Sequence, residues 1–453
     1  MVETPDPHSI GPIGRRRALQ ICGTGLASGV PGCMGFSADS SPSYELSQEN
    51  FDPEPLPYDR TYPDDDEVTM FRGGLRRLGF YPDETIPESV TAGWQLPINY
   101  AEHGAAKASP VPSPDGETIV FPADTGRVHA VSPDGEYRWT TETPATVQGF
   151  HASPVIVDGV AYVGDYGGAN RGQDAAMNAL DVRTGGVVWR TTEFDGAVAI
   201  GSSAGYWDGY LYVVSEYRHP TESGALWVLD AETGEALWSD DRIDGMPHPT
   251  VAIDPVNERL LTGSNDGVLY CWEFPSLEFE WGFETGGEIK GPIATYDGSA
   301  FFGSWDGSFY RVGLSDGRKV WELSTGRVIM SAPAIDPEEG VVYFGGDNGF
   351  VYALDAGSGE ERWSEPVHGR VIGALTLTAE TVLVGSYDTH LYALDKRTGE
   401  RRWRVRNNGY VTSAPVPHEG RIYYSERAVR SRNADGDSIV EVPGHAYCLL
   451  GDD

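Results

Sequence analysis

The chain has 453 residues and a formal net charge of -35, from 68 Asp and Glu against 33 Lys and Arg. Such a surface repels phosphates, which excludes nucleic acid as a partner. Its 57 Gly, 31 Pro, 15 Phe, 12 Trp and 23 Tyr suit short strands joined by tight turns and disfavour a helical fold.

The first element is a targeting segment over residues 1–33. Arg15, Arg16 and Arg17 precede a weakly apolar stretch that runs to Gly32 and is too short and polar to span a bilayer. The paired arginines resemble a twin-arginine export signal, and Val30-Pro31-Gly32-Cys33 resembles a lipobox, although Pro31 departs from the usual small or branched residue. That reading puts a lipid on Cys33 and the protein on the extracellular face of the membrane, held by the lipid alone. Residues 34–68 are rich in Ser, Asp, Glu and Pro and read as an acidic tether. Residues 69–90 follow as an N-terminal segment expected to pack on the folded part.

Residues 91–450 repeat themselves. Leu180-Asp-Val-Arg-Thr-Gly-Gly-Val-Val-Trp189 returns as Leu229 to Trp238, Leu354 to Trp363 and Leu394 to Trp403, with an Asp and a Gly bracketing a turn before each Trp. Trp94, Trp139, Trp189, Trp238, Trp281, Trp321, Trp363 and Trp403 are separated by 45, 50, 49, 43, 40, 42 and 40 residues, the period of a four-stranded propeller blade. The fold class is therefore all-β: an eight-bladed β-propeller of four-stranded antiparallel blades. The last repeat stops short of its own tryptophan strand while Trp94 stands orphaned at the front, so an N-terminal strand should close the ring. The eight tryptophans are expected to dock neighbouring blades together.

The Asp-x-x-Thr-Gly turn ahead of each Trp resembles the docking motif of the quinoprotein alcohol dehydrogenase-like, or PQQ-like, propeller family, and Met70-Phe-Arg-Gly73 looks like a stretch that precedes the first blade there. The resemblance implies either a dehydrogenase that binds the quinone PQQ with calcium, or a non-catalytic member similar to the lipoprotein that helps assemble outer-membrane barrels. Dehydrogenases of that family carry an adjacent cysteine pair, whereas no two of Cys22, Cys33, Cys271 and Cys448 are neighbours. This departure favours the non-catalytic branch, with no catalytic residue, metal or cofactor assigned.

The connections between blades carry His103, Lys107, His151, His248, Lys290, Arg327, Arg370 and Tyr410 near the expected channel mouth, as a cationic ligand funnel. Two of only four lysines fall there, the others being Lys319 and Lys396. Excess carboxylate with so little lysine keeps a surface hydrated where salt screens most charge, which points to a halophilic source. Long second-to-third-strand segments at 165–178, 215–224 and 425–444 are the expected recognition loops. The function read from the chain is a monomeric binding or scaffolding propeller for a protein or extracellular polymer; a PQQ-dependent dehydrogenase and a purely structural envelope protein are the alternatives.

Overall fold

The computed structural model describes residues 68–100, 107–144, 149–167, 174–432 and 438–452. Arg15, Arg16, Arg17, Cys33 and His103 lie outside the described residues.

Eight antiparallel sheets form the blades, each of four strands drawn in sequence order except the last. Blade seven is representative, with Thr376–Thr378 innermost, then Thr381–Gly385, His390–Asp395 and Arg401–Arg406. Its second and third strands alternate side chains between two blade faces, and both faces are apolar because each packs on a neighbour. Thus Val382, Val384, Tyr392 and Leu394 join Tyr343, Val351 and Ala353 of blade six in one buried cluster. The outer strand faces water and alternates exposed with half-buried residues.

The ring closes as the orphaned tryptophan implies. Val90–Asn99 pairs antiparallel with Gly444–Gly451, with Trp94 opposite Cys448, and so forms the outer strand of blade eight. No ladder edge is left open at the seam between the two ends of the propeller.

The repeated turn and tryptophan have one physical explanation. A β-bulge at the same place in the outer strand sets its Trp opposite Ala130, Ala179, Val228, Cys271, Arg311, Ala353 or Ala393 of the third strand. The indole N–H then donates to a backbone carbonyl of the following blade: Trp139 to Val182 (2.7 Å), Trp189 to Ala231 (2.9 Å), Trp321 to Ala356 (3.1 Å) and Trp363 to Lys396 (3.0 Å). The turn glycine of that next blade lies flat against the ring. A Cβ on Gly234, whose φ is +77°, would sit 2.6 Å from Trp189 Cε3. Gly234→Ala should therefore cost about 2–4 kcal/mol, from left-handed backbone strain plus overpacking, and urea denaturation would measure it.

Two junctions depart from the pattern. Between blades three and four the turn position is Leu277, at φ +59°, and it packs in the same apolar cluster as Trp238. At blade eight the Trp403 indole donates instead to Pro87 O at 3.0 Å, so the segment ahead of the closing strand supplies the missing turn.

Residues 68–81 wind across the inner strands. Val68–Met70 pairs with Val155–Val157 of blade two, and Phe80–Tyr81 runs parallel to Leu377–Thr378 of blade seven. Between them the amides of Ile253, Thr295 and Ile335 in blades four, five and six donate to Leu75 O, Arg76 O and Leu78 O at 3.0, 3.0 and 2.9 Å. Arg72 and Arg77 are buried in this segment and anchor it through backbone carbonyls.

The long segments differ from open loops. In blade three the strands continue as Tyr210–Tyr217 and Ser223–Asp230, which leaves only residues 218–222 as the turn. In blade eight Val429–Arg432 and Ser438–Val442 form an additional hairpin. Polar sequence hid both, because a hairpin extended beyond its sheet needs no apolar core face.

Candidate functional site

The channel is built by one repeated hydrogen bond. At the end of the second strand or just beyond it, a backbone N–H donates to the connection arriving from the previous blade: Tyr166 to Gly149 O (3.0 Å), Glu216 to Ala199 O (2.9 Å), Asn265 to Met246 O (3.2 Å), Trp305 to Glu288 O (2.9 Å), Asp347 to Val328 O (2.9 Å), Tyr387 to Arg370 O (3.0 Å) and Arg427 to Tyr410 O (2.9 Å). This fixes the register of each connection, and in extended chain the residue two places on shares a face with the acceptor. Those residues are His151, Gly201, His248, Lys290, Met330, Ile372 and Thr412, and Lys107 holds the matching place ahead of blade one.

All of these but Met330 line a cavity of about 70 Å³ on the propeller axis. A deeper ring, two residues further along each connection, completes its wall with Ser109, Ser153, Ser203, Thr250, Pro292, Ala332, Ala374 and Ala414. The hydroxyls of that ring tie consecutive blades together: Ser109 Oγ accepts from Ala414 N (2.8 Å), Ser153 Oγ from Ser109 N (2.9 Å), Ser203 Oγ from Ser153 N (2.9 Å) and Thr250 Oγ1 from Ser203 N (3.2 Å). Phe71, from the segment that crosses the inner strands, also lines the cavity and is shared with a second cavity of about 420 Å³.

Of the funnel residues expected from sequence, Lys107, His151, His248 and Lys290 come together in the channel wall. Arg370 and Tyr410 stand further out and meet through Tyr387. The Arg370 guanidinium lies 4.7 Å from the Tyr387 ring centroid, Tyr387 stacks on Tyr410 at 4.6 Å, and Arg370 also pairs with Asp347 at 3.6 Å. Arg327 is exposed and outside the wall. It is one residue out of register, since the acceptor position in its connection is Val328, and a slip of one sends a side chain to the opposite face.

Sequence reasoning missed the residues at and just beyond the ends of the second strands. Glu216 is 2 % exposed and accepts from His248 Nδ1 at 3.0 Å and Tyr166 OH at 3.3 Å. Arg427 donates to Tyr387 OH at 2.5 Å. Trp305 lies under the Lys290 ammonium at 4.0 Å, and Lys290 is also paired with Glu288. The available signal was positional: Ser215-Glu216, Ser304-Trp305 and Ser386-Tyr387 recur where a strand ends.

Lys107 differs from its neighbours. Among the described residues its ammonium has no hydrogen-bond or ion-pair partner. Burial, together with the like charges of Arg427 and Lys290, lowers it from 10.5 to about 7, with Glu216 opposing.

The family model described as outer membrane protein assembly factor BamB matches residues 87–240, 222–336 and 331–439. The chain belongs to that family of PQQ-like repeats. Its curated relatives fall on both sides of the family. Quinohemoprotein alcohol dehydrogenase of Comamonas testosteroni is 24% identical over 262 residues, 50% of this chain and 34% of that protein. Outer membrane protein assembly factor BamB of Yersinia pestis is 26% identical over 270 residues, 55% of this chain and 62% of that protein. The chain thus spans about a third of the dehydrogenase relative and under two thirds of the BamB relative.

Solved structures give the same fold. The Comamonas testosteroni dehydrogenase superposes with a TM-score of 0.67 at 15% identity, covering 85% of this chain and 80% of that one. BamB from Moraxella catarrhalis gives 0.56 at 17%, covering 80% and 100%.

PQQ with calcium is the cofactor the family's dehydrogenase side implies, and the channel is a poor fit for it. Among the described residues no three His, Cys, Asp or Glu side chains converge to hold a metal ion. The axial cavity of about 70 Å³ is far below the roughly 300–1,000 Å³ of sites that enclose cofactor-sized ligands. Cys271 and Cys448 are free and buried in separate blades, so they form no adjacent pair.

Proposed function

We propose that the chain is a non-catalytic recognition propeller of the cell envelope, exported through its arginine-led N-terminus and anchored by a lipid on Cys33. It binds a protein or an extracellular polymer through the face that carries the channel mouth and the extended hairpins of blades three and eight. The observation that supports this reading is the narrow channel, whose wall offers cations and hydroxyls but no converging metal ligands among the described residues. The name of the BamB relatives supports a protein partner in outer-membrane assembly over a polymer. A dense carboxylate surface with few lysines fits work in concentrated salt.

The dehydrogenase relatives, at comparable identity, support a second reading as a PQQ-dependent enzyme. A dye-linked alcohol oxidation assay on the full chain, supplied with PQQ and calcium, separates the two. The expected result is no dye reduction above background; sustained turnover would overturn the non-catalytic reading. In the same cells Cys33→Ser should move the protein from the membrane fraction to the soluble one, and unchanged membrane association would refute the anchor.

A further inference from the structure

The axial cavity is lined by two lysines and two histidines, with Phe71 in its wall. Arg72, next to Phe71 in sequence, donates to the carbonyls of Arg77 (3.0 Å), Leu375 (2.8 Å) and Pro333, none of which cancels its charge. Lys107 and Lys290 occupy the same repeat position ahead of blades one and five, four blades apart in an eight-blade ring, so they enter the channel from opposite sides. Lys290 is held by Glu288 and Trp305, whereas Lys107 has no acceptor among the described residues. An enclosed ammonium without an acceptor is costly to maintain, and an anion in the cavity relieves that cost.

Size and charge narrow the ligand. One water needs about 10–15 Å³ of such volume, so about 70 Å³ holds on the order of five non-hydrogen atoms. The chain's charge of -35 repels a polyanion at long range, while a small anion meets mainly the local field of the cleft.

We infer that the axial channel is a binding site for one small oxyanion, a short-chain carboxylate or a sulfate-sized ion, seated between the Lys107 and Lys290 ammonium groups. The wall also brings His151 and His248 to the anion, with Arg427 and Glu216 just outside. The site is independent of whether the loop face binds a partner.

Titration calorimetry of the full chain with acetate, and separately with sulfate, tests it. The wild type should bind at least one of the two, and Lys107→Met should weaken that binding tenfold or more, with Lys290→Met weakening it less. Because the free Lys107 ammonium titrates near 7, binding at pH 8 should take up a proton, and affinity should fall as pH rises through that value. Circular dichroism of each variant checks that it is folded.

Labelling gives a second readout that needs no variant. With only four lysines in the chain, acetic anhydride at pH 8 should modify Lys107 faster than the exposed Lys319, and the bound anion should slow Lys107 alone. Acetate and sulfate that neither bind the wild type nor protect Lys107 would overturn the assignment. So would a folded Lys107→Met protein that binds as tightly as the wild type, which would mark the ion as adventitious only.

Discussion

Deleting Val90–Asn99 is expected to abolish the cooperative fold of the propeller. The strand contributes the Val90 to Asn99 ladder against Gly444–Gly451 and brings Ile98, 1 % exposed, into the seam cluster with Phe121, Tyr423 and Cys448. Its Trp94 donates to Pro133 O at 2.9 Å, docking blade eight to blade one. Losing the tryptophan side chain alone should cost about 3–5 kcal/mol. Loss of the whole strand adds the other buried side chains and the ladder, and the sum reaches the 5–15 kcal/mol, approximately, that stabilises a typical native domain. It also exposes the edge of Gly444–Gly451, an apolar strand that can pair with a second chain. Circular dichroism and size-exclusion chromatography should find the deletion variant aggregated or unfolded, with Trp94→Ala folded but less stable. A deletion variant that remains monomeric with a wild-type unfolding midpoint would show that the ring does not depend on this seam.

That closure was legible because the signal is local and counted. Each turn and its Trp lie within ten residues of one another, so they repeat visibly in sequence, and the blade that lacks its Trp is matched by the Trp that lacks its blade. Lys107, His151, His248 and Lys290 were legible because each stands two residues ahead of a Ser, Thr or Pro that leads into an inner strand. The remainder depends on register that no local pattern fixes. Arg327 and Val328 look equivalent until the amide of Asp347 selects the carbonyl of Val328 at 2.9 Å. Glu216 and Arg427 read as ordinary surface charges, yet they are drawn to the channel by partners as distant in sequence as Tyr166 and Tyr387, 50 and 40 residues away. The lipid anchor and export signal rest on sequence alone, in residues outside those described.

The course of residues 68–81 was equally hidden, although Arg72 and Arg77 among glycines were a visible oddity. Both take left-handed backbone angles, φ +65° and +58°, which lets the segment coil and present its guanidinium groups to different blades. Arg77 is fully buried and donates from Nε to Val251 O (3.0 Å), from Nη2 to Ala204 O (2.8 Å) and from Nη1 to Phe71 O (2.9 Å), so it joins blades three and four to the wall of the channel. Arg77→Ala leaves those carbonyls without this donor and opens a cavity, with a partial offset from no longer burying a charge; the net cost should be about 3–5 kcal/mol in urea denaturation. Arg77→Met restores most of the volume and should recover about 1–2 kcal/mol of the loss, which separates packing from hydrogen bonding. The damage should also be local. The amides of Ile253 and Thr295, which donate to Leu75 O and Arg76 O, should lose hydrogen-exchange protection in the Ala variant, while the Val382 ladder of blade seven keeps its own. Uniform loss of protection across all blades would mean that the segment is part of the global folding unit instead of a strap laid over a finished ring.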